Sequence, residues 1–124
     1  MKKIATLLTI FAILLTSIVW AKRVEPAKVV PITSGQIEYR APHKQMGCVE
    51  AWDTKRKGII WRRQIYVVKY SLSLERDVQD VYITKTELKG NNLIVKNERE
   101  SEYVLNLDTL VVKVLKGSLI EKTN

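Results

Sequence analysis

A single cysteine, Cys48, and a single histidine, His43, are all that the 124 residues offer of the two types on which disulfide frameworks, zinc sites and thiol–imidazole dyads depend. One thiol cannot close an internal disulfide even in an oxidising compartment, and Cys48 is expected as a small buried residue rather than an exposed thiol linking two copies. One His with one Cys leaves half of a tetrahedral zinc site unfilled. A chain of this length makes one domain, which excludes a complete propeller, a TIM barrel and a two-lobed enzyme.

Charge is missing from one long stretch. Residues 4–21 (IATLLTIFAILLTSIVWA) carry none, and are bounded by Lys2-Lys3 and Lys22-Arg23. A basic start, an apolar run and a small-residue end at Val19-Trp20-Ala21 form a secretory signal pattern. An uncleaved anchor is the alternative, since about 18 apolar residues are borderline for crossing a bilayer. Either way the expected location is extracytoplasmic, periplasmic or secreted. Without Lys2 and Lys3, residues 22–124 hold 21 − 2 = 19 basic against 13 acidic side chains, a formal charge of +6.

Alanine nearly vanishes after residue 21, whereas Val, Ile and Thr are abundant. That bias predicts strands, at 36–40, 46–53, 59–70, 81–89, 93–97, 102–107 and 110–115. Short polar connections at 54–58, 90–92 and 98–101 suit hairpins. The expected fold is all-β: one small antiparallel meander of about six or seven strands, as a sandwich or partly closed barrel, over 36–116. Residues 71–80 break the pattern and are expected as one helical turn or an excursion loop. Leu72, Leu74 and Val78 are expected to touch the core. Residues 22–35, with Pro26 and Pro31, read as an extended linker ending in an edge strand. Residues 117–124 read as a flexible tail.

One segment has a recognisable motif. Ala51-Trp52-Asp53, Gly58 and Trp61 resemble the repeat of quinoprotein (PQQ-type) β-propellers, in which Ala-Leu-Asp is followed by a Thr-Gly turn, apolar residues and Trp. Here Gly58 comes one place late and Arg56 stands where Thr is usual. A weaker echo runs through Leu105-Asn106-Leu107-Asp108-Thr109, aligned so that Asp108 answers Asp53. The resemblance implies structural roles: Asp and Gly shape the turn, and Trp packs. It implies no cofactor, because a quinone site needs many blades. Trp52 and Trp61 are expected to steady the hairpin by cross-strand contact.

The chemical candidates are few. His43 and Cys48 lie five residues apart, and a minimal enzyme or redox accessory would have to use them or a carboxylate. The acids at Glu75, Asp77 and Asp80 lack the pattern of a calcium loop, and those at Glu98, Glu100 and Glu102 read as a charged hairpin tip. Denser is the basic run: Lys55, Arg56 and Lys57 at a hairpin tip, with Arg62 and Arg63 beyond. In a strand, Arg62 and Arg63 point to opposite faces. Lys55, Arg56, Lys57 and Arg62 are the expected contacts to an anionic surface, either membrane or acidic envelope polymer. Another envelope protein is a further possible partner, and nucleic acid is not one for an exported chain. The expected function is a small envelope-associated binding or accessory module without catalysis.

Overall fold

A computed structural model describes residues 23–123, so the signal or anchor expected at 1–21 lies outside the described residues. The chain forms β1 (Ile32–Ser34), β2 (Ile37–Arg40), β3 (Cys48–Asp53), β4 (Gly58–Gln64), β5 (Val67–Lys69), α1 (Arg76–Gln79), β6 (Ile83–Lys89), β7 (Asn92–Asn97), β8 (Glu102–Asn106), β9 (Val112–Lys116) and β10 (Ile120–Lys122). The all-β expectation holds. The single meander does not: β1-β2-β3-β4 and β6-β7-β8-β9 are two separate antiparallel sheets, and β5 pairs with β10 in parallel. No barrel closes. Ten strands replace six or seven among the described residues, because short strands form at β1 and β10 and the stretch at 59–70 divides.

That division has a local cause. Ile65 and Tyr66 are both buried, which breaks the period-2 alternation of a strand. Their amides turn to Gly47 O, at 2.7 and 3.4 Å, and the chain leaves the first sheet. Gly47 has φ +70°, and a side chain there would collide with the Tyr66 carbonyl, so only glycine suits this crossing. Tyr66 then stacks on Tyr103 of β8 with ring centroids 5.4 Å apart, and its hydroxyl donates to Val81 O. One core draws on both sheets, from Tyr39, Val49 and Ala51 on one and Leu93, Val95, Tyr103 and Leu105 on the other.

Residues 117–124, read as a flexible tail, hold β10 instead. Its anchor is polar, which is why apolar patterning missed it. Glu121 is 6 % exposed, and its Oε1 accepts from Ser101 Oγ (2.5 Å), Tyr103 OH (3.1 Å) and Asn97 Nδ2 (3.2 Å). Burial pushes the Glu121 carboxyl up, but these hydrogen bonds outweigh it and leave the group below its ordinary value.

Residues 23–31 are extended and docked. Arg23 donates to Asp80 O and pairs with Glu98, while Glu25 Oε1 accepts from Tyr82 OH at 3.1 Å. The excursion at 71–80 contains one helical turn, as expected. Its apolar side chains do not reach the core: Leu72, Leu74 and Val78 are exposed. Gln79 is the buried residue, donating through Nε2 to the carbonyls of Ser71, Leu74 and Glu75 and accepting from Ser71 N. A single amide thus ties down a loop that its leucines do not. Among the described residues, no helix is long and apolar enough to cross a membrane.

Candidate anionic-surface site

The β3–β4 turn is built by Asp53, not by its cations. Asp53 Oδ1 accepts from the backbone N–H of Lys55 (2.9 Å) and Arg56 (3.0 Å), and Asp53 O accepts from Lys57 N (2.8 Å). This is an Asx turn, in which a short carboxylate replaces a backbone acceptor. Thr54 fastens the turn to the β1–β2 connection, donating through both N and Oγ1 to Gln36 O at 2.9 Å. The left-handed position falls on Lys57, with φ 57°. Gly58 follows one place later, so the late glycine of the motif leaves a lysine in the conformation that glycine adopts most easily.

Lys55, Arg56 and Lys57 are exposed, and no ion pair forms at them among the described residues. Arg62 differs. It sits opposite Glu50 in the β3–β4 register, and its Nε and Nη2 reach Glu50 Oε2 at 2.6 and 2.5 Å. Glu50 is buried, so Arg62 compensates a buried carboxylate and brings no net charge to the tip. Arg63, on the opposite face, donates from Nε to Leu110 O at 2.9 Å and ties the two sheets together. The tip therefore carries three cations rather than five.

The remaining motif residues divide between the faces. Ala51 is fully buried, and Trp61, opposite it, packs against the core beside Tyr39 at 6.1 Å between centroids. Trp52 lies on the other face beneath the Arg40 guanidinium, 4.3 Å from its ring centre. The expected Trp52–Trp61 contact is absent because the register shifts between Ala51 and Trp52 and pairs Trp52 with Ile59. This bulge leaves Ile59 and Ile60 both exposed.

Cys48 and His43, the residues of the redox alternative, take different partners. Cys48 Sγ donates to Gln64 Oε1 at 3.1 Å, and burial pushes its thiol up, away from thiolate character. His43 Nδ1 faces Glu25 Oε2 at 3.4 Å, and its ring packs on Tyr82 at 4.5 Å. Tyr82 is itself pushed up to about 12 by burial and by its hydrogen bond to Glu25. In the excursion, Asp80 is occupied by the hydroxyls of Tyr70 (2.5 Å) and Tyr82 (3.3 Å). Glu98, read as part of a hairpin tip, accepts from Tyr82 N at 2.9 Å as well as pairing Arg23. Among the described residues, no three His, Cys, Asp or Glu side chains converge as metal ligands. Comparison with known proteins returns no matching family model and no matching curated relative.

The second sheet repeats the turn. Asn106 Oδ1 accepts from Asp108 N (2.9 Å) and Thr109 N (3.0 Å), while Asn106 O accepts from Leu110 N (2.8 Å). Leu110 takes the left-handed position, with φ 58°. Leu107 N reaches Asn91 O at 3.0 Å, as Thr54 N reaches Gln36 O. The residue answering Asp53 is therefore Asn106. The sequence alignment through Asp108 is two places out, because it matched carboxylates where the backbone needs only an Asx oxygen.

Proposed function

We propose that the chain is a small, exported, non-catalytic module that attaches to an anionic surface of the envelope through Lys55, Arg56 and Lys57. The observation carrying this reading is the contrast between the two Asx turns. Sheet two makes the same backbone with Asp108, Thr109 and Leu110 at the matching positions, so the fold does not require three cations there. Their positions at a hairpin tip let them approach a charged surface with little steric hindrance. Each cation near an anionic membrane contributes about 1 kcal/mol, which gives weak, salt-sensitive attachment rather than a tight site. Arg62 is left out of the contact because Glu50 holds it. The propeller-like motif is read as turn and packing chemistry, with no quinone assigned.

The test is co-sedimentation of the exported chain, residues 22–124 without the apolar run at 4–21, with anionic and neutral vesicles. Binding to anionic vesicles at low salt, lost at high salt and absent from neutral vesicles, is expected. Equal binding to both vesicle types would overturn the proposal.

A further inference from the structure

We infer that a second binding site, for a single-chain amphiphile with an anionic head, lies in the groove between residues 25–31 and 40–44. The groove arises from two prolines. β1 and β2 pair through Ile32↔Tyr39, and continuing that register would place Pro31 opposite Arg40 and Val29 opposite Pro42. Proline has no N–H to donate, so the ladder stops there and the two segments part. Arg23, with its partners at Asp80 and Glu98, and Glu25, with Tyr82, hold the outer segment in place.

The resulting cleft is open to solvent and offers about 660 Å³, within the ~300–1,000 Å³ typical of ligand sites. Val29, Pro31, Ala41 and Pro42 give it apolar walls, and Lys28 and Lys44 bring positive charge to it, while Arg40 in the same lining is paired with Glu38 at 3.2 Å. Lys28 and Lys44 are exposed and form no ion pair among the described residues. Glu25 is the one carboxylate in the lining; its side chain is exposed at the mouth, with Oε1 3.1 Å from Tyr82 OH and Oε2 3.4 Å from His43 Nδ1. The His43 side chain is only 8 % exposed, and its Nε2 is buried with no hydrogen-bond partner. Apolar walls with a cationic rim match an alkyl stem ending in a phosphate or carboxylate. A bare inorganic anion would leave the walls unused, and a neutral amphiphile would leave the lysines unused.

The experiment titrates the exported chain, residues 22–124 without the apolar run at 4–21, with monomeric dodecyl phosphate, dodecyl maltoside and inorganic phosphate, read by calorimetry and by tryptophan fluorescence. Trp52 lies under Arg40 and serves as the local reporter. Dodecyl phosphate should bind most tightly. The double variant Lys28→Gln, Lys44→Gln should weaken it about thirtyfold, and Trp52→Phe should bind but lose the fluorescence response. The triple variant Lys55→Gln, Arg56→Gln, Lys57→Gln should keep this affinity, which separates the groove from the hairpin tip. Equal affinity for dodecyl maltoside or inorganic phosphate, or an unchanged double variant, would overturn the inference. So would the absence of dodecyl phosphate binding.

Discussion

The turns at 53–58 and 106–111 share a backbone and almost nothing else. Both hang on one Asx oxygen that accepts two amides, and both place a non-glycine residue in the left-handed region. In the second turn, Leu107 and Leu110 pack against the core, and Asp108 accepts from Asn91. In the first, the matching positions hold exposed Thr54, Lys55 and Lys57. The second turn spends its side chains on the fold, while the first fastens itself through Asp53 and Thr54 and leaves Lys55, Arg56 and Lys57 in solvent. Side chains that a repeated scaffold can do without are the ones available for binding, and here those side chains are cations.

The comparison makes unequal demands on the two sheets. Leu105→Ala, at a fully buried site of sheet two, should cost about 3 kcal/mol. Trp61→Ala, at a half-buried site of sheet one, should cost about 2 kcal/mol, below the ~3–5 kcal/mol of a fully buried indole. Chemical denaturation of both variants checks the order, and a larger loss at Trp61 would place the weight of the core on sheet one.

Acid should act through sheet two as well. The Glu121 carboxyl is held below its ordinary value in the folded chain. Its contribution is therefore present above the unfolded carboxylate pKa and lost as pH falls through the lower folded one. Melting temperature should fall across that acid range, and Glu121→Gln should flatten the fall. At neutral pH, Glu121→Ala should cost about 2 kcal/mol through three lost hydrogen bonds to a charged group. An acid profile identical in Glu121→Gln would show that other carboxylates govern it.

Smaller effects test the shared scaffold directly. Asp53→Ala and Asn106→Ala should each cost about 1 kcal/mol, because each strands two turn amides. Similar losses in the two variants are the expected result. A loss confined to one would mean that the other turn is held by its neighbours.

Much of the fold was legible because burial in most strands is apolar and periodic: β7 and β8 alternate cleanly through Leu93, Val95, Tyr103 and Leu105. Reading failed where polar atoms do the anchoring. Glu121 in β10, Gln79 in the excursion and the Gly47 carbonyl at the crossing carry no hydrophobic signature. The cations of the tip were visible as a run of adjacent letters. That Arg62 is already taken was not, since its partner Glu50 becomes a neighbour only through the strand register. The groove was hidden for the same reason, being assembled from two segments that meet only beside the β1–β2 ladder.

The central claim is that Lys55, Arg56 and Lys57 are dispensable to the fold and necessary for surface attachment. The most direct measurement takes the triple variant Lys55→Gln, Arg56→Gln, Lys57→Gln and records thermal unfolding and low-salt co-sedimentation with anionic vesicles on one preparation. Stability should stay within about 0.5 kcal/mol of the parent, while vesicle binding disappears. Unchanged binding, or a marked loss of stability, would contradict the account.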